Sequence, residues 1–383
     1  MRILTILPNL NGGGAQRIAL DLARRFASNG DESLVCAAGS DGVLRAEVDQ
    51  LKFYGFRPRI ALFTIVPYVA FVLRSVRRSK PQVILVHLLP LNLLVLLLCL
   101  LRFVRIPVVA VEHSHLTAAH DSIGASRVRR FLVHRLIRLL YPQAGAIVGV
   151  SARVATDIAT RMRCNAKVLA IPNGVDVDFI RRRKVERTDE SARFETFSSP
   201  RLVAVGRLVP SKAFEDLLLA FVEVRTQAGF GTASLAILGD GPERVRLEER
   251  VSELGLEGAV WLPGFVKNPW AVMARAQIFV MSSHHEGFGL VVAVAVACGL
   301  PVVSTNCLSG PAEILEGNPR ARLVPVGDWA AIAHEICDVL RTADSVRAVP
   351  IRRDYTIDET ARRYRTLFAD ILTRRAPGLY VDT

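Results

Sequence analysis

Apolar positions along the chain fall into short continuous runs and into longer stretches where they recur three or four residues apart. Arg2 to Leu7 is a short apolar run broken by Asn9 and Gly12-Gly13-Gly14, after which Ile18, Leu20, Leu22, Ala23 and Phe26 return at helical spacing as far as Asn29-Gly30. This predicts strand, glycine loop and helix. Val83 to Val86, a helix near Asn92 to Phe103, and Pro107 to Val111 repeat the pattern, and Ala146 to Val150 reads as another buried strand before a helix that Ser151 caps. The run Arg181 to Pro200 is charged and lacks a clean period, so it reads as a linker or peripheral hairpin. Beyond it, Leu202 to Val205, Leu235 to Leu238, Val260 to Leu262, Ile278 to Met281 and Pro301 to Ser304 read as strands separated by helices. A basic amphipathic helix follows at about Ile357 to Arg374. The fold class expected is α/β, with two Rossmann-like doubly wound domains over residues 1–180 and 195–356, and with residues 357–383 packing back on the first. Ligands in open α/β sheets bind outside the strand carboxyl ends, so two such rows facing across a cleft are the expected site.

Composition supports this reading: 383 residues with 51% hydrophobic content suit two globular domains and not a disordered chain. Cys36, Cys99, Cys164, Cys298, Cys307 and Cys337 show no C-x-x-C or C-x-x-H spacing, which disfavours a zinc site, a redox pair or a secreted disulfide scaffold. With no secretory signal of the usual length before Pro8, a cytoplasmic location is expected.

The net charge of +13 is concentrated, because residues 51–140 hold 14 Lys or Arg against only Glu112 and Asp121. Such a patch attracts nucleic acid, anionic lipid or a phosphorylated ligand, and its sign alone does not choose among them. Leu88 to Leu101 is the most apolar stretch, interrupted by Pro90 and Asn92. It is shorter than the roughly 18 to 20 residues that span a bilayer, and reads as a buried helix or a membrane-dipping surface element. From Ser126 to Leu140, apolar and cationic residues interleave at helical spacing. This suits either a helix on an anionic membrane, with Tyr68 to Arg78 as a second contact, or a core-packed helix with a solvated basic face. Nucleic acid is not expected, since aromatic residues interleave poorly with these charges.

Three clusters carry candidate chemistry. Gly12-Gly13-Gly14 opens a helix, where bare amides can approach a phosphate; read alone, it is equally a tight turn. It is not G-x-G-x-x-G, and no G-x-x-x-x-G-K-[ST] is present, which removes the dinucleotide and P-loop fingerprints. Arg207 and Lys212 follow a strand end, where they can converge on one anion or remain solvated surface cations. Ser282-Ser283-His284-His285-Glu286-Gly287-Phe288-Gly289-Leu290 places an acid and two glycines at a strand-to-helix turn. No D-x-D stands at a strand end, so no metal is expected.

Taken together, these residues resemble the retaining nucleotide-sugar glycosyltransferases of family 4, with the two-domain GT-B fold. The resemblance rests on G-G-G-A-Q-R at Gly12 to Arg17, I-P-N-G-V-D at Ile171 to Asp176, V-G-R-L-V-P-S-K at Val205 to Lys212 and L-G-D-G-P-E at Leu238 to Glu243. It continues in L-P-G-F at Leu262 to Phe265, E-G-F-G-L at Glu286 to Leu290 and A-C-G-L-P-V-V-S-T at Ala297 to Thr305. Asn306 to Leu315 resembles the subgroup that builds bacterial surface glycans on lipid carriers.

The resemblance implies a UDP- or GDP-sugar co-substrate, with UDP favoured, no further cofactor or metal, and a glycan or polyprenyl-linked acceptor at the inner membrane face. It implies that Gly13, Gly14 and Gly206 lie beside the donor and that Gln16 faces the acceptor. His113, with His115 as competitor, meets the donor sugar. Arg207 and Lys212 hold the diphosphate and Glu286 the sugar, amides at Phe288, Gly289 and Leu290 complete the phosphate cradle, and Pro263, Gly264 and Phe265 lie along the base.

Two departures stand out. The family's second glutamate, eight residues after the first, is Val294 here, with Glu313 as a conceivable substitute, and the usual K-G reads Lys212-Ala213. The first departure keeps open a catalytically weak GT-B subunit. A soluble transferase or phosphorylase making a storage or osmolyte saccharide is the third alternative.

Overall fold

The computed structural model describes residues 1–37, 39, 41–56, 65–116, 127–162, 167–342 and 346–375. The chain forms two compact units, one from Met1–Gly174 with the segment beginning at Ile357, the other from Val175–Thr356.

Unit 1 is built on seven parallel strands: β1 (Arg2–Leu7), β2 (Glu32–Ala37), β3 (Lys52–Gly55), β4 (Val83–His87), β5 (Val108–Glu112), β6 (Ala146–Gly149) and β7 (Val168–Ala170). Their spatial order is β3-β2-β1-β4-β5-β6-β7, so the winding reverses between β1 and β4. The central strands are runs of Val, Ile and Leu because both faces are covered by helices. Helix Gly14–Ser28 buries Ile18, Leu20, Leu22 and Phe26 on one face, as their spacing predicts. Ser151 Oγ accepts the Val154 amide at 3.2 Å and caps the helix Ala152–Met162.

The helix Ile357–Arg375 packs on Gly14–Ser28. Phe26 meets Tyr364 and Phe368 with ring centroids 6.5 and 5.7 Å apart, and Arg365 Nε lies 3.0 Å from Asp31 Oδ2. Thr360 Oγ1 also donates to the Pro172 carbonyl at 3.0 Å.

Unit 2 has six parallel strands: β8 (Arg201–Val205), β9 (Ser234–Leu238), β10 (Val260–Gly264), β11 (Ile278–Met281), β12 (Val302–Thr305) and β13 (Ala321–Val324). Their order is β10-β9-β8-β11-β12-β13, with the reversal between β8 and β11. Helices Phe214–Thr226 and Trp329–Thr342 pack together over a core that includes Leu217, Phe221, Ile332 and Ile336. At the boundary with unit 1, the Val175 amide donates to the Tyr355 carbonyl at 2.9 Å, and Val175 pairs with Thr356.

The segment expected to be a linker or hairpin is neither. It holds two helices, Val177–Lys184 and Asp189–Glu195, and both belong to unit 2, which starts at Val175 rather than 195. Asp176 Oδ1 caps the first by accepting the Phe179 amide at 2.8 Å, and its last-turn cations suit the negative helix end. Thr188 and Ser191 form a reciprocal capping box on the second, which buries Phe194 against Trp261. Each helix is too short for its apolar face to repeat, which hides the period.

Candidate functional site

In unit 2 the chemistry gathers where the winding reverses. The chain leaves β8 through Gly206 and Arg207 into a turn at Pro210–Lys212, and Ala213 starts the helix Phe214–Thr226 in the left-handed conformation, φ 48° and ψ 44°. The resemblance leads to the expectation of glycine at this position, and the alanine holds the left-handed conformation at a cost of about 1–2 kcal/mol. Beyond β11 the chain passes through Ser282 to Gly289 into the helix Leu290–Cys298.

These two exits are joined by side chains. Lys212 Nζ lies 2.5 Å from Glu286 Oε1, which also accepts from Ser283 Oγ at 2.9 Å. Ser282 Oγ donates to the Lys212 carbonyl at 2.9 Å, and the His284 amide donates to the Ser211 carbonyl at the same distance. His284 Nε2 reaches Asp216 Oδ2 at 3.0 Å.

Support comes from the neighbouring loop after β12. Thr305 Oγ1 donates to the Ser283 carbonyl at 2.6 Å, and Ser309 Oγ donates to the carbonyls of Glu286 and Gly287 at 2.9 and 3.1 Å. Gly310, at φ +92°, lies so close that a Cβ would sit 1.7 Å from the Phe288 carbonyl oxygen. Glu286 is thereby fixed from behind while 12% of its side chain, and 21% of that of Lys212, stays accessible. The Arg207 side chain is exposed and meets no acid among the described residues.

The other residues expected around the donor are placed less uniformly. Pro263 and Gly264 close β10, the far edge of the sheet, with Phe265 42% exposed beyond them. Phe288 is buried against the Tyr355 ring, so its side chain is not available to a ligand. Gly289, at φ +77°, begins the helix Leu290–Cys298 with no side-chain cap on its first turn. Val294 is half-buried one turn along from Leu290, and Glu313 lies on the short helix Pro311–Leu315.

In unit 1, Gly13 precedes the helix starting at Gly14, again without a side-chain cap. Gln16 Nε2 donates to Asn9 Oδ1 at 3.0 Å, and its Oε1 lies 2.4 Å from where a Cβ on Gly13 would be. His113 follows β5, and its Nε2 is 2.9 Å from Nδ1 of His87, the last residue of β4. Enclosure keeps both imidazoles neutral, pushing His113 down to about 3 and His87 well below its ordinary value. His115 is separated from them: it is buried, with Nδ1 3.8 Å from Asp157 Oδ2, and Asp157 itself binds Arg161 and the Leu116 amide.

Residues 12–179 match the model of glycosyltransferase family 4, and residues 199–342 match that of glycosyl transferases group 1. Over 365 residues the chain is 30% identical to 2-deoxystreptamine N-acetyl-D-glucosaminyltransferase of Streptomyces fradiae, covering 88% of this chain and 84% of that one. The chain belongs to glycosyltransferase family 4.

A second family relative is the N-acetylgalactosamine-N,N'-diacetylbacillosaminyl-diphospho-undecaprenol 4-alpha-N-acetylgalactosaminyltransferase of Campylobacter jejuni, 31% identical over 192 residues. That match covers 50% of this chain and 49% of the relative, so the family 4 chain aligns with about half of it. Among solved structures, Anabaena HepE in complex with UDP-glucose superposes with a TM-score of 0.72 at 20% identity, covering 98% of this chain and 99% of that one. The two parallel-sheet units have the GT-B fold.

Several residues that support the candidate positions in each unit of this family 4 chain escape a reading of the sequence. Ser283, Thr305 and Ser309 look like ordinary polar ends of strands, and His87 is concealed in the apolar run Val83 to Val86 that it closes. Glu112 is a buried carboxyl whose Oε1 accepts from Asn92 Nδ2 at 2.6 Å and from the Tyr141 hydroxyl. Burial raises it to about 7 against the opposing pull of these two donors. Its signal was available, as a lone acid closing an apolar strand in a basic segment. No group of three His, Cys, Asp or Glu among the described residues is arranged to hold a metal ion.

Proposed function

We propose that this family 4 chain is a retaining glycosyltransferase that moves a hexose or N-acetylhexosamine from a nucleotide-diphosphate sugar to a lipid-linked or growing cell-surface saccharide. The observation that carries the reading is the Lys212–Glu286 pair, held at the carboxyl ends of β8 and β11 and still accessible. Arg207 and Lys212 take the diphosphate, where charge grows as the bond to the sugar breaks, and so bind the transition state more tightly than the ground state. Glu286 accepts from the sugar hydroxyls, and the uncapped amides at Gly289 and Leu290 face the phosphates. Gly206, Pro263, Gly264 and Phe265 are assigned to the nucleotide, Gly13, Gly14 and His113 to the donor and Gln16 to the acceptor. The reaction passes through an oxocarbenium-like state, with the acceptor hydroxyl attacking the face that the nucleotide leaves. No metal is assigned a step, because the two cations and the amides supply the countercharge.

UDP is favoured over GDP because the HepE structure holds UDP-glucose. A lipid-linked acceptor is favoured by the diphospho-undecaprenol named for the Campylobacter relative and by the surface of unit 1. No described helix is long and apolar enough to cross a membrane. Helix Arg127–Leu140 buries Ile137 and Leu140 but exposes Val128, Phe131, Leu132, Leu136 and Leu139 beside Arg135 and Arg138. Its neighbour, the helix Leu89–Leu100, adds exposed Leu97 and Leu100, with Leu101 and Phe103 following it. An apolar face with cations among it suits peripheral docking on the anionic inner leaflet better than a solvated basic face does. Along Tyr68 to Arg78, the expected second contact, Tyr68 and Phe71 pack inward with Phe56, leaving Arg74, Arg77 and Arg78 outward to meet anionic lipid.

A second reading, a weak or inactive GT-B subunit, is favoured by Val294. Losing a charged hydrogen-bond acceptor costs about 1.5–3 kcal/mol, or about 10- to 150-fold in donor affinity. Calorimetry with a panel of UDP- and GDP-sugars, on the native chain and a Val294→Glu variant, tests both readings. Micromolar binding by the native chain, followed by transfer to acceptor, supports the enzyme. Rescue by glutamate alone supports the subunit, and no binding by either chain overturns the donor assignment.

A further inference from the structure

His87 is a buried, chemistry-bearing residue to which the family resemblance gives no role, yet it touches one that has a proposed role. It ends β4 beside β5, where its Cα pairs with that of Val111, and its ring is wholly inaccessible. The chain turns directly after it at Leu88, whose φ of 76° and ψ of 138° lie in a region costly for any residue with a Cβ. The Leu88 amide is anchored on the Val111 carbonyl at 3.2 Å, so the turn that follows His87 is held against β5.

Neutral imidazole has one N–H and one lone pair, so the 2.9 Å contact between His87 Nδ1 and His113 Nε2 admits two arrangements. In one, His113 Nε2–H donates to His87, and the proton left on His87 sits at Nε2. That nitrogen is buried with no hydrogen-bond partner among the described residues, so a donor would be stranded in the core. In the other, His87 Nδ1–H donates to His113, leaving only a bare lone pair at His87 Nε2. Stranded buried N–H groups are the rarer and costlier of the two.

We propose that His87 is a positioning residue: its Nδ1–H donates to His113 Nε2, which places the proton of His113 on Nδ1 and makes that ring a fixed, neutral hydrogen-bond donor to a hydroxyl of the bound sugar. The proposal rests on the assignment of His113 to the donor sugar. The low pKa of both rings agrees with it, since neither protonates where the protein works and the donor carries no charge to be neutralised by the diphosphate. A second buried ring that sets the tautomer of a first leaves less reorganisation for the moment of reaction.

Long-range ¹H–¹⁵N correlation spectra of histidine-labelled protein read the tautomer directly and need no sugar. The native chain should show His113 protonated at Nδ1 and unprotonated at Nε2. His87→Leu should mix the two tautomers and lower kcat/KM for the sugar nucleotide by about 10- to 100-fold. His87→Asn, whose amide can donate from near the Nδ1 position, should restore most of both. A native His113 protonated at Nε2, or an Asn variant no better than Leu while circular dichroism shows both folded, overturns the proposal. Should Leu not fold, the native tautomer and the Asn variant still decide. A wrong tautomer leaves the transferase reading standing, whereas failure of every sugar nucleotide overturns both even with the tautomer as drawn.

Discussion

Substituting Glu112→Gln removes one titration from the core of unit 1 and keeps the hydrogen bonds around it, because the amide oxygen accepts from Asn92 and Tyr141 as the carboxylate does. Burial sets the carboxyl at about 7 in the folded chain, against 4.5 for a free side chain. The folded state therefore holds this proton more tightly than the unfolded state. Its contribution to stability is fully present below 4.5, falls as pH rises, and is gone above about 7. A displacement of that size corresponds to about 3 kcal/mol. Every other group titrates alike in both chains, so the difference between their unfolding free energies isolates Glu112. Urea unfolding followed by hydrogen exchange of the β5 amides, which report on unit 1 alone, measures that difference. Between pH 4.5 and about pH 8 it should move in favour of the glutamine variant by about 3 kcal/mol. A difference independent of pH, or one moving the other way, would refute the argument.

Other substitutions probe the site and the surface. Gly310→Ala forces a methyl group into the Phe288 carbonyl at a positive φ, and should destabilise unit 2 by about 3 kcal/mol or more and abolish donor binding, as read by thermal unfolding and calorimetry. Lys212→Ala leaves Glu286 without its cation, and should lower kcat by about 100- to 1,000-fold with a smaller effect on KM in a steady-state transfer assay. Replacing Phe131 and Leu136 with serine and Arg135 with glutamate should abolish sedimentation with anionic vesicles at low salt while leaving donor binding unchanged.

The parts of the fold legible in the sequence are those with strong local contrast. Buried parallel strands such as Val83–His87 and Ile278–Met281 show as unbroken apolar runs over residues 83–86 and 278–281, each stopped by a polar residue. Less legible are β3 and β13, edge strands in which Lys52 or Arg322 dilutes the apolar run, and β7, which is only three residues long. The same contrast decides which candidate residues could be found. Arg207, Lys212 and Glu286 sit in glycine-rich turns where charge is conspicuous. His87 and Glu112 close apolar strands, and their partners Asn92, His113 and Tyr141 are set beside them only by folding. Thr305 and Ser309 are likewise joined to the turn at residues 283–286 by the parallel order of β11 and β12, which no local pattern encodes.

The return of the last helix to unit 1 has a consequence for the order in which the protein matures. All of Val175–Thr356 lies, along the chain, inside the other unit, and its two ends meet where Val175 pairs with Thr356. As the chain leaves the ribosome, unit 2 has every strand and helix it needs while unit 1 still lacks the helix bearing Tyr364 and Phe368. Until that helix arrives, Phe26 and its neighbours on Gly14–Ser28 present bare apolar surface. Unit 1 is thus completed only after all of unit 2 has been made, and in the interval its bare apolar surface is open to aggregation.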